Sequence, residues 1–182
     1  DTPHVFLVGF TWDLPGNESW TGAKKILLDG WNVSGLLRYE SGRPLQIDMA
    51  NDMSGFLFNS EKRPDRVGSV DAVVAGGDFD PNTDRYFNED AWANPGALTF
   101  GNAPRRDGTA RGFGVFNEDI NISKAFTLSE RARMRFEFRV GNMFNRTTFC
   151  GPNTRWGGSS FGQVFSQCVT PRSMQLGVRL DY

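Results

Sequence analysis

The chain has 182 residues, enough for one domain with a sizeable core. Its formal net charge of −1 gives no reason to expect nucleic acid or an anionic membrane surface as a partner. The single histidine, His4, excludes a multi-histidine metal site and a histidine-based catalytic pair, and no run of ~18 apolar residues marks a transmembrane helix.

The sequence starts at Asp1 without a methionine or a recognisable signal peptide, so a processed or truncated chain is expected. The first periodic segment is "PHVFLVGFTWDLPG", with Phe6, Val8, Phe10, Trp12 and Leu14 on one face. Val5, Leu7, Gly9, Thr11 and Asp13 take the other, and Pro15-Gly16 ends the strand. In "GWNVSGLLRYESGRP", Trp31, Val33, Gly35, Leu37 and Tyr39 alternate with Asn32, Ser34, Leu36, Arg38 and Glu40. Trp31 and Tyr39 stand near opposite ends of that apolar face, as two aromatic belts around an apolar band would, although an ordinary core strand would look the same.

From about Leu45 to Phe113 the period is lost among Gly, Asp, Asn, Pro and Arg, and a stretch this long is usually functional or disordered. A short strand or helical turn is expected within it, around Asp71 to Ala75. Regularity resumes in "FNEDINISKAF", where Ile120, Ile122 and Phe116 oppose Asp119, Asn121 and Ser123. The segment Thr127 to Glu130 reads as a tight hairpin turn. After it, Ala132, Met134, Phe136, Phe138 and Val140 alternate with Arg131, Arg133, Arg135, Glu137 and Arg139. A helix would scatter those charges around its circumference, so this is a strand. A second long connection runs from about Arg146 to Arg172 and carries Cys150 and Cys168 in a Gly/Ser/Thr-rich context. The pair reads as a disulfide in an oxidising compartment, and as two unrelated thiols in a reducing one. The chain closes on "RSMQLGVRLDY", with Met174, Leu176, Val178, Leu180 and Tyr182 on one face.

About five long strands result, each with one apolar face, joined alternately by long and short connections. Five strands leave two open edges, whereas small closed barrels need about eight. Long loops on one side and short turns on the other are how outer-membrane barrels are built.

The segments "DTPHVFLVGFTWDLPG", "GWNVSGLLRYESGRPL", "RPDRVG", "YFNEDAWANP", "FGNAPRRDGTARGFGVFNEDINISKAFTLSERARMRFEFRVGNMFN" and "MQLGVRLDY" resemble, in order, the C-terminal barrel region of Oar-like TonB-dependent receptors. The resemblance covers essentially the whole chain. It implies an all-β, antiparallel up-and-down transmembrane barrel segment, about the last five strands of a 22-stranded barrel in the outer membrane of a diderm bacterium. Long extracellular loops would span about residues 45–113 and 146–172. Such receptors import a scarce ligand with energy from TonB, through a barrel filled by an N-terminal plug. Neither a plug nor a TonB box is present in these residues, so they are expected to be one part of a longer polypeptide. Expected partners are outer-membrane lipid, the barrel-assembly machinery, TonB through the absent N-terminal region, and the remaining strands and plug; nucleic acid is not expected. Met174, Leu176, Val178, Leu180 and Tyr182 resemble the signal that the assembly machinery reads. A barrel serving as a surface scaffold without energised uptake is the alternative, followed by a soluble secreted β-sandwich binding module.

Arg133, Arg135, Glu137 and Arg139 are expected to line the lumen, where polar residues are a requirement of the fold. Asp80, Asn82 and Asp84 have the spacing that starts a calcium loop, but Arg85 and Ala91 stand where that loop needs Gly and Glu. A solvated loop therefore explains them better. Phe56, Phe58, Trp92 and Trp156 are candidate exposed loop aromatics for ligand contact, which loop packing explains equally well. No cofactor motif is present, and neither a Ser–His–Asp set nor a marked carboxylate pair is arguable, so an enzyme is not expected.

Overall fold

The computed structural model describes residues 1–50 and 62–182. They form two compact units. The first is a five-stranded antiparallel sheet comprising His4–Glu40, Val115–Thr147 and Val169–Tyr182. Its strands are β1 (Val5–Asp13), β2 (Trp31–Glu40), β3 (Val115–Thr127), β4 (Arg133–Gly141) and β5 (Ser173–Asp181), and each pairs with the next. This is an up-and-down meander, the architecture expected from the alternating long and short connections and from the resemblance.

The register aligns the alternating faces into rows that cross the whole sheet. Trp12, Val33, Ile122, Phe138 and Leu176 are successive partners on one face. One step along, Thr11, Ser34, Asn121, Arg139 and Gln175 are partners on the other. A one-residue slip of any strand would put its polar set into the apolar row, so the side-chain pattern excludes odd shifts of register. Gly35 completes an apolar row beside Phe10 and Ile120, and a Cβ there would come within 2.7 Å of the Phe10 ring and 2.8 Å of Ile120. The glycine is the space over which Phe10 packs.

Two connections differ from their sequence reading. The β3–β4 turn occupies Leu128–Ala132 rather than Thr127–Glu130, because Leu128 N–H still bonds Ala132 carbonyl at 2.9 Å and carries the ladder past Thr127. Ala132 therefore belongs to the turn. Between β1 and β2 lies a short helix, α1 (Gly22–Leu28), which strand periodicity gave no reason to expect. Its end is tied to β2 by Trp31 Nε1–H donating to Leu27 carbonyl at 2.8 Å.

The second unit comprises Asp1–Pro3, Ser41–Gly114 and Thr148–Cys168. Both long connections thus fold together. Its regular structure is slight: paired two-residue strands such as Asp65–Arg66 with Trp92–Ala93, the strand Asp107–Arg111, and a 3-10 turn at Glu89–Ala91. Around Asp71–Ala75, the expected short element is a single bridge from Val73 to Phe87. Side-chain packing holds this unit together. Ile47, Ala72, Tyr86, Phe87, Trp92 and Phe161 form a buried cluster, with Phe79, Phe113 and Phe149 against it. Tyr86 and Phe113 meet at 4.5 Å, and Phe87 stacks on Phe161 at 5.4 Å.

Candidate functional site

The polar face of the sheet carries the first candidate site. Arg133, Arg135, Glu137 and Arg139 all lie on it, four alternate residues of β4. Arg139 donates to Glu137 at 2.7 Å, and Arg179 on β5 donates to Asp181 at 2.8 Å. Arg179 stands opposite Arg135, so its bond to Asp181 offsets a like-charge pair. A groove of about 660 Å³ crosses this face, with Thr11, Ser34, Asp119, Asn121, Arg139 and Ser173 among its walls. These groups are charges, an amide and hydroxyls, able to hydrogen-bond a polar surface laid against them.

On the apolar face, Met174, Leu176, Val178 and Leu180 pair with Val140, Phe138, Phe136 and Met134, and Tyr182 follows the end of β5. Aromatic clusters lie near both ends of this face. Tyr39 packs with Phe6 at 6.0 Å and Phe116 at 5.9 Å near one end of the sheet. Near the other, Trp31 and Phe136 are in register with Lys124, and Phe126 meets Phe136 edge-on at 5.6 Å.

Two charged residues share this apolar face, and reading β3 by composition passed over them. Glu118 is opposite Leu37, and Lys124 is opposite Trp31 and Phe136. Counting in twos from Ile120 and Ile122 would have found both. Glu118 is 1 % exposed, and both its carboxylate oxygens accept from Arg146 Nε, at 3.1 and 3.2 Å. The arginine is placed by Asn142, which has φ 50° and ends β4. Asn142 Oδ1 accepts from Arg146 N–H, while its Nδ2 donates to the carbonyls of Arg146 and Thr170. Asparagine tolerates the left-handed region because its short amide satisfies the local backbone. Lys124 is 5 % exposed, its ammonium 5.4 Å from the Trp31 ring centroid and 5.1 Å from that of Phe126.

The loop unit carries the second candidate site. Cys150 and Cys168 are joined in a disulfide, their Cα atoms 4.9 Å apart. Arg66 organises the centre: its guanidinium reaches Asp107 at 3.2 Å and the carbonyls of Val67, Val70 and Ala91, and lies 5.3 Å from the Trp92 ring centroid. Tyr86 donates its hydroxyl to Arg111 carbonyl at 2.6 Å, and burial pushes its phenol above the ordinary tyrosine value. Trp92, taken from sequence as an exposed aromatic, is instead buried under Phe87 and Phe161. Trp156 is half-buried and donates to Glu89 carbonyl at 3.0 Å. Phe56 and Phe58 lie outside the described residues.

Asp80, Asn82 and Asp84 fold back on their own backbone. Asp80 Oδ1 accepts from Asn82 N–H and Nδ2, both at 2.9 Å, and Asp84 Oδ2 accepts from Asp80 N–H at 2.8 Å. These bonds build a turn in which the carboxylates already have donors. Among the described residues, no three His, Cys, Asp or Glu side chains gather as a metal site would require.

No curated protein and no solved structure matches the chain. A family model described as an outer membrane beta barrel domain matches residues 1–175, and the chain belongs to that family.

Proposed function

We propose that this segment of a bacterial outer-membrane barrel belongs to a receptor that imports a scarce ligand, using energy delivered by TonB. The apolar rows then meet lipid, and Arg133, Arg135, Glu137 and Arg139 line the lumen against a plug supplied elsewhere in the polypeptide. The remaining strands would complete a barrel of 22, as the resemblance implies. Met174, Leu176, Val178, Leu180 and Tyr182 are the residues offered to the assembly machinery. The role is binding and passage, without catalysis, cofactor or nucleic acid.

The observation that carries this reading is the folded loop unit. A barrel that is only a pore needs no organised loops, whereas capture of a dilute ligand gains from a surface whose ordering cost is met before binding. The buried aromatic cluster, the Arg66 network and the Cys150–Cys168 bridge supply that rigidity. The six ordered segments that resemble Oar-like receptors support it independently. The same rigid loops would suit a surface scaffold, so the test must address energy coupling. The protein purified from outer membranes is expected to bind the isolated periplasmic domain of TonB, and to bind it more tightly once ligand is loaded. Absence of TonB binding under both conditions would leave the scaffold.

A further inference from the structure

Beneath α1, at the end of the sheet that carries the short connections, is a cavity of about 320 Å³. Short connections of outer-membrane barrels face the periplasm, which puts this cavity level with the phospholipid leaflet. Lys25, Ile26, Asp29, Gly30, Lys124 and Phe126 contribute to its walls.

Lys124 is the unusual member. Lysine is rarely buried without a partner, since desolvating an ammonium costs several kcal/mol unless something compensates. Here the ammonium has the faces of Trp31 and Phe126 and feels the Asp29 carboxylate across the cavity but, among the described residues, makes no direct hydrogen bond or ion pair. It sits on the lipid-facing side of β3, in register with Trp31 and Phe136, with a cavity at hand. Lys25 adds a second cation, while Asp29 already uses one carboxylate oxygen to accept from Gly30 N–H at 2.9 Å. Above the cavity, α1 exposes Ile26, Leu27 and Leu28 in succession, and Lys24 beside them lies over Trp20 at 5.7 Å. Exposed apolar residues preceded by two lysines fit an element resting at the headgroup boundary.

We infer that the cavity beneath α1 binds the headgroup phosphate of an anionic phospholipid of the periplasmic leaflet, with Lys124 and Lys25 as its cationic contacts. The acyl chains continue along the apolar rows of β2 and β3, and Ile26, Leu27 and Leu28 enter the same leaflet. Asp29 is an opposite charge near Lys124 but makes no direct ion pair with it, and the lipid phosphate supplies that direct partner. This site is independent of the import reading: it requires only the membrane position and the direction of the sheet.

Native mass spectrometry of the protein purified from outer membranes, with dioleoylphosphatidylglycerol and dioleoylphosphatidylcholine added in turn, tests the inference. Phosphatidylglycerol adducts should persist where phosphatidylcholine adducts dissociate. Lys124→Gln should weaken phosphatidylglycerol binding about five-fold, the loss expected of one basic residue at an anionic lipid surface, and Lys124→Arg should restore most of it. Lys25→Gln should shift binding in the same direction and, lying on an exposed helix, carries the test if Lys124→Gln does not reach the folded, heat-modifiable form. Equal retention of both lipids, unchanged binding in the folded variants, or displacement of the lipid by inorganic phosphate alone would overturn the assignment.

Discussion

Leu176 in the sheet unit is 73 % exposed, whereas Trp92 in the loop unit is 3 % exposed. The contrast is general among the described residues. The buried apolar cluster, Ile47, Tyr86, Phe87, Trp92 and Phe161 among it, belongs wholly to the loop unit. The sheet's most buried side chains are polar or charged: Glu118, Ser123, Lys124 and Asn142. One chain therefore contains two solutions to burial. The loop unit hides apolar surface from water inside itself, as soluble domains do. The sheet keeps its apolar surface outside, where the bilayer of an outer-membrane barrel covers it. Exposed Phe6, Leu176 and Leu180 are thus a consequence of the solvent for which the sheet is built.

If this contrast is right, the two units should fail in different ways. Trp92→Ala should have the largest effect, about 3–5 kcal/mol, because it empties the centre of a packed aromatic cluster. Hydrogen exchange should rise across residues 62–114 while strands β1 to β5 remain protected; an equal rise in the sheet would break the comparison. Leu176→Arg should cost ~2–4 kcal/mol near mid-bilayer and lower the yield of heat-modifiable barrel in vesicles. Gln175→Arg, on the polar face of the same strand, should leave that yield unchanged. If both arginines behaved alike, the assignment of faces to lipid and lumen would fall. Removing the bridge with Cys150→Ser and Cys168→Ser should destabilise only the loop unit, by about 3 kcal/mol in the chain-entropy account. Limited proteolysis should then cut within residues 148–168 in the double variant before cutting the parent protein.

Much of the sheet was legible because β periodicity is local. Phe136, Phe138 and Arg139 declare their faces from adjacent letters, whereas the register between strands came only from the structure, because alternation leaves slips of two residues open. The Cys150–Cys168 pair was legible from its setting, and the turn after β3 to within two residues. Trp92 was misplaced because a glycine- and aspartate-rich loop predicts exposure, while its burial depends on Phe87 and on the distant Phe161. Lys124 and Glu118 were countable onto the apolar face, yet their meaning rests on what surrounds them: two rings and a cavity for one, Arg146 for the other.

The sequence by itself determined the five strands and their two faces, since these follow from a two-residue period, while the outer-membrane character rested on six ordered segments that resemble a known family. Only the tertiary structure decided that the long connections share an aromatic core, that Arg66 closes on Asp107, and that Lys124 is buried between two rings with no direct ion pair among the described residues. Those facts join residues far apart in the chain, and packing at such distances has no period to read.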